Sequence, residues 1–156
     1  MAVCVLKLSA DRPIVFSDDA ALNREAPGFE AAWAKYSETF DLTLLPKRDG
    51  LEFTVFHVGS LTVEQATHLD NQMGLGERIT ESIAYGVHAI TGLEVEGEDH
   101  QATSLVVNDS VRVDSPRGRR LPPDVLSMFV DPKLRLELWA AVNAASRLSK
   151  RVAKSD

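Results

Sequence analysis

The sequence predicts an α+β fold, a single domain in which a small antiparallel sheet carries a helical hairpin and a C-terminal helix packed on it. Three observations predict it. Short runs of branched and aromatic residues, clearest in Leu51 to Val58, read as strands. A capping signal at Thr62 opens a stretch of helical periodicity that runs to Ile90. A long amphipathic segment then follows Asp131-Pro132. The chain has 156 residues, within the usual size of one domain, and no internal repeat, low-complexity stretch or linker divides it. Residues 1–156 are therefore read as one unit, with 1–45 an extended arm plus a helix and 50–150 the core.

Residues 2–8 and Pro13 to Phe16 read as extended segments either side of the turn-like Ser9-Ala10-Asp11-Arg12. Ser17-Asp18-Asp19 has the composition of a helix start, and Pro27-Gly28 marks a break. From Phe29 to Phe40 the aromatic residues Phe29, Trp33, Tyr36 and Phe40 recur at helical spacing. That stripe either packs on the protein's own core or offers a subunit interface, where aromatic residues are enriched. Asp41 to Leu45 and Leu51 to Val58 flank Pro46-Lys47-Arg48-Asp49-Gly50, whose Pro, Asp and Gly suit a β-hairpin connection.

Thr62 and Gln65 form a capping box, so a helix is expected from Val63 to Met73. Gly74 and Gly76 allow a turn into a second helix, Glu77 to Ile90, with Ile79, Ile83, Val87 and Ile90 on its apolar face and Gly92 as terminator. Gly86 inside it marks close packing or a weak point. Leu93 to Val113 holds two or three short strands, with a turn at Asn108-Asp109. Ser115 to Arg120 reads as a basic loop, and a short helix follows Pro122-Pro123-Asp124. Asp131 caps the last helix, which is expected to run to Arg151 and to bury Leu134, Leu138, Val142, Ala145 and Leu148.

Composition narrows the function classes. A hydrophobic content of 44% with 26% charged residues is globular, and the longest apolar runs fall far short of the ~18 residues that a membrane span needs. The N-terminus has no basic lead-in before an apolar region, so synthesis in the cytoplasm without a signal peptide is expected. Cys4 is the single cysteine, which excludes a disulfide within the chain, and its apolar setting reads as a buried, inert thiol. The net charge of −6 divides unevenly: residues 1–111 carry 7 basic and 18 acidic groups, whereas residues 112–156 carry 10 basic and 5 acidic. An acidic body with a basic C-terminal third reads first as solvated surface, the alternatives being that it steers a partner or orients subunits head to tail.

Chemistry is mostly declined. No Gly-x-Ser-x-Gly turn surrounds Ser60, and Gly74-Leu75-Gly76 lacks the Lys-Ser/Thr of a phosphate loop. Glu64 and His68, four apart on one helix face, could begin a metal site with Asp70, His88 or His100, but an ordinary surface pair is the simpler reading. The acidic turn Glu96 to His100 does not match a calcium loop. Arg117, Arg119 and Arg120, with Lys150, Arg151 and Lys154 later, could meet phosphates by charge. They lack interleaved aromatics and a reading helix, so sequence-specific nucleic-acid binding is not expected.

The residues that carry a resemblance are Phe53-Thr54-Val55-Phe56-His57-Val58, Leu61-Thr62-Val63-Glu64-Gln65-Ala66, Gly76-Glu77-Arg78-Ile79, Val87 to Leu93, Leu121-Pro122-Pro123-Asp124-Val125-Leu126 and Leu136-Glu137-Leu138. In this order, over roughly residues 50 to 150, the chain resembles small proteins of the head and tail gene modules of tailed bacteriophages. The resemblance implies a virion or virion-assembly protein that packs against other virion proteins, including copies of itself, with no active site and no cofactor. A tail-assembly chaperone absent from the finished particle is the alternative within that class; a small metal-dependent enzyme or binder using Glu64, His68 and His88 is the alternative outside it. The interface residues expected are Phe29, Trp33, Tyr36, Phe40, Arg117, Arg119, Arg120, Arg147 and Arg151.

Overall fold

A computed structural model describes residues 12–72, 74–96, 102–108 and 110–154; the side chains at 72, 95–96, 102–106 and 147–154 fall outside that description. The elements run β1 (Arg12–Val15), α1 (Phe29–Thr39), a 3-10 turn (Leu42–Leu44), β2 (Val55–Val58), α2 (Val63–Gln72), α3 (Leu75–Gly86), β3 (Val87–Glu96), β4 (Ala102–Val107), β5 (Val113–Ser115), β6 (Gly118–Arg120), α4 (Pro123–Leu126) and α5 (Pro132–Lys154). The α+β class expected from the sequence is the one found. A four-stranded antiparallel sheet in the order β1-β2-β3-β4 is accompanied by the separate β5-β6 hairpin. The expected strand at 2–8, Cys4 and His100 lie outside the described residues.

Alternation along the strands sorts the core into two clusters, one on each pleat face. Phe56 and Val58 of β2 join Ile83 of α3, Val87 and Ile90 of β3, Val107 of β4, and Leu138 and Val142 of α5 in the main cluster. Val15 of β1 and Val55 of β2 point the other way and meet Leu22, Tyr36 and Leu45 in a second cluster. α3 and α5 therefore cover one face, and α1 covers the other.

The close approach of α3 and α5 depends on Gly86. A side chain there would run into Val142, a fully buried residue whose Cγ1 and Cβ lie 2.8 and 3.2 Å from the place a Cβ would occupy. Gly86 is also where the helix stops. The expected helix to Ile90 is corrected here: Val87 to Ile90 enters β3, pairing Ile90 with Phe56 and Val87 with Val58. Two β-branched residues and a free edge on β2 favour the strand over further helix. Gly92 does not end a helix; it sits in β3 with φ +71°, inside the bulge between Ile90 and Leu93, and a Cβ there would strike the Phe53 carbonyl.

Two further expectations fail for tertiary reasons. The segment from Ser17 onward is not a helix start. Asp19 accepts the Ala21 N–H at 2.8 Å and the Thr54 N–H at 2.9 Å, so its carboxylate closes a turn and ties it to the approach of β2. Ser17 donates to Glu137 of α5 through both its N–H at 3.0 Å and its hydroxyl at 2.5 Å. The hairpin expected across 41–58 is also absent: Leu42–Leu44 forms a 3-10 turn capped by Asp41, and β1 takes the place beside β2, with Val15 opposite Val55. Leu22 and Lys47 keep a single isolated bridge in its stead.

The local signals at two helix starts hold. The Thr62 hydroxyl accepts from the Gln65 N–H at 3.1 Å while the Gln65 side-chain Oε1 accepts from the Thr62 N–H at 3.0 Å. Asp131 accepts from the Lys133 N–H at 2.9 Å at the start of α5. Each cap satisfies backbone donors that a helix start leaves unpaired.

Candidate protein-binding surfaces

The aromatic stripe forms a continuous ladder along α1. Ring centroids lie 6.2 Å apart for Phe29 and Trp33, 5.3 Å for Trp33 and Tyr36, and 6.1 Å for Tyr36 and Phe40. The ladder faces the protein's own second cluster, with Tyr36 only 3% exposed and Phe29 and Trp33 packed against it partly buried. The Tyr36 hydroxyl accepts from the Val15 N–H at 2.9 Å and donates to the Pro13 carbonyl at 2.6 Å, bonding two backbone groups of β1. Burial pushes its phenol pKa up to about 12. Tyr36 is thus a core residue, and what α1 offers outward is the remainder of Phe29, Trp33 and Phe40. Arg12 lies over the Phe40 ring at 5.1 Å.

The expected basic loop is in fact the β5-β6 hairpin, with Val113 opposite Arg120 and Ser115 opposite Gly118. It is fastened down along α3. Arg120 makes a bidentate pair with Glu81 at 2.5 and 3.1 Å, both side chains being 20% exposed, and its guanidinium lies 5.4 Å from the Tyr85 ring centroid. Arg119 donates to the Arg112 carbonyl at 2.9 Å and sits 3.6 Å from Asp114. The Arg117 carbonyl accepts from the Gln65 amide at 2.8 Å, which anchors the turn to the capping box of α2. Arg119 and Arg120 are engaged within the chain. The side chains of Arg147 and Arg151 lie outside the described residues.

A surface that the sequence reading did not single out lies around the connection from α4 to α5. Val130 is 80% exposed, Met128 42% and Leu136 51%, three large apolar side chains within nine residues. Val130 lines a groove of about 550 Å³ together with Thr80, Ile83, Arg120, Pro123, Leu126, Ser127, Phe129 and Arg135. Its cationic wall is Arg135, whose guanidinium donates to the Thr80 hydroxyl and has no carboxylate partner among the described residues. The available signal was the run Val125-Leu126-Ser127-Met128-Phe129-Val130. Packed on a four-residue helix and a tight turn, that run cannot turn every apolar side chain inward.

On the other side of the start of α5 a second groove, of about 580 Å³, has the opposite charge. Phe16, Leu51, Phe56, Leu93 and Leu134 give it an apolar floor, and Asp18, Asp19, Glu52 and Glu94 stand along it. Asp18 is bonded by Lys133 at 2.9 Å, which holds its carboxyl below the ordinary range, and by Arg24 at 3.0 Å. Glu52 reaches Lys47 at 3.0 Å, whereas Glu94 is exposed and has no cation beside it among the described residues.

A smaller cleft of about 300 Å³ between α2, α3 and α5 is lined by Leu61, Ala66, Leu69, Asp70, Arg78, Ser82, Trp139, Asn143 and Ser146. Arg78 and Asp70 approach only to 4.0 Å there. Glu64 and His68 are not joined by a third ligand: among the described residues no group of three His, Cys, Asp or Glu side chains could hold a metal ion. Among the same residues no helix is long and apolar enough to cross a membrane. Comparison of the chain with protein-family models, curated proteins and solved structures finds no match.

Proposed function

We propose that this chain is a structural interaction protein of a tailed-phage particle, acting by packing against other chains in the capsid surface, the connector or the tail. The phage assignment rests on the order of motifs between residues 50 and 150. The observation that carries the packing role is Val130, 80% exposed on the lining of a groove that also presents Leu126 and Phe129. An exposed apolar residue is ordinary by itself, but one set on the rim of an apolar-lined groove is what a docking surface displays. The Glu81–Arg120 pair holds one wall of that groove in place.

Particles assembled in cells that supply either the wild-type chain or its Val130→Asp variant test the reading. Val130 is so exposed that aspartate there leaves the fold intact, which circular dichroism of the isolated variant checks. The wild-type chain is expected to co-purify with mature particles through a density gradient, and the variant to be depleted from them. A chain that is needed for assembly but absent from mature particles would be an assembly chaperone. Equal incorporation of both would remove the Val130 surface from the account.

A further inference from the structure

We infer that the occupant of the acidic groove is a second copy of this chain, which inserts its Met128/Val130 turn and brings Arg135 against Glu94 and Glu52. The inference rests on the reading of the chain as a packing protein and adds the partner and the polarity of the contact.

Charge decides the pairing. If the Val130 turn of one copy entered the basic groove of another, Arg135 of each would face the other's cationic wall, and like charges across an interface are costly. Placed in the acidic groove, the same turn sets an arginine with no carboxylate partner among the described residues opposite a glutamate with no cation among them. The apolar side chains match as well. Met128 and Val130 project 42% and 80% exposed, and the acidic groove has the floor of Phe16, Leu51, Phe56, Leu93 and Leu134 that such side chains need. The start of α5 separates the two features, since Leu134 lines the acidic groove and Arg135 the basic one. Every copy therefore presents both a projection and a receptor. A contact between unlike patches is heterologous and leaves one of each free, so it propagates into a ring or a stack rather than stopping at two.

The test is sedimentation velocity of the full chain over a range of concentration in about 50 mM and about 500 mM salt, where screening lengths differ about threefold. The wild type is expected to associate in a concentration-dependent manner, more weakly at high salt. Arg135→Glu and Glu94→Arg, each checked for native secondary structure, are expected to associate at least about tenfold more weakly, because each brings like charges together. Mixed in equal amounts, they restore opposite charges at both kinds of contact, Arg135 against Glu94 at one and the two substituted positions against each other at the next, so alternating association beyond a pair is expected. The double variant carries the charges exchanged and is expected to self-associate again.

A wild type that stays monomeric at every concentration would overturn the inference. Single variants that associate like the wild type would do so too, as would a mixture and a double variant that both fail to recover association. The functional reading fails separately. A monomeric chain present in particles at fixed copy number removes this pairing and keeps the virion role, whereas an associating chain absent from particles does the reverse.

Discussion

Replacing Gly86 by alanine probes the contact that holds the face bearing both grooves together. The added methyl would overlap both γ-carbons of Val142, one of them at 2.8 Å, in a place where Val142 is fully buried. Overpacking of this kind costs about 1–3 kcal/mol. Alanine returns up to ~1 kcal/mol as a better helix former, less here because Gly86 is the last residue of α3. The net loss expected is about 1–2 kcal/mol, a Tm lower by about 2–8 °C for a domain of this size. Urea denaturation of the wild type, Gly86→Ala, Val142→Ala and the double variant measures it. Val142→Ala alone is expected to cost about 2–3 kcal/mol through lost burial and a cavity. In the double variant the new methyl occupies space that the valine has vacated, so the combined cost should fall short of the sum by ~1 kcal/mol or more. Wild-type stability in Gly86→Ala, or simple additivity in the cycle, would refute the close α3–α5 contact.

Gly92→Ala should be worse than Gly86→Ala, by denaturation under the same conditions. Its methyl would strike the Phe53 carbonyl, which is backbone and cannot rotate away, and φ +71° adds about 1–2 kcal/mol of left-handed strain. Tyr36→Phe leaves the Val15 N–H buried without its acceptor, at an expected cost of about 1–3 kcal/mol near neutral pH. The Tyr36 phenol is raised from 10.0 to about 12, so the native state holds this proton more tightly than the unfolded chain does. The stability linked to it, ~2–3 kcal/mol, is fully present below pH 10 and lost as pH rises to about 12. Urea midpoints at pH 8 and pH 11 should therefore diverge more for the wild type than for Tyr36→Phe. Gln65→Ala removes half of the α2 capping box and the bond to the Arg117 carbonyl, and about 1–2 kcal/mol is expected by urea denaturation. Hydrogen exchange should also rise around residues 115–118.

What was legible in the sequence was local. Thr62 and Gln65 satisfy each other within four residues, and Asp131 caps its own helix, so both signals survive folding unchanged. The missed features were decided by residues far away. Val87 to Ile90 has the spacing of an apolar helix face, and only the free edge of β2 makes it a strand. Asp19 resembles an N-cap until Thr54, 35 residues later, claims its second oxygen. The strand expected at the end of the 41–45 segment lost its place to β1, which brings Val15 to the second cluster. For the binding surface, residue type pointed to the aromatic stripe of α1, but Tyr36 turned inward because the sheet has a second apolar face to cover. Val130 and Arg135 gave no comparable signal: one is an unremarkable valine after a short apolar run, and the other an arginine in the first turns of α5.

The role proposed for the chain is a fixed place among other chains. Quantitative mass spectrometry of purified mature particles, with isotope-labelled peptides of this chain and of the major capsid protein, tests it most directly. One copy number is expected, the same in every preparation and matching the symmetry of the capsid, the connector or the tail; absence of the chain, or an amount that varies between preparations, would rule that role out.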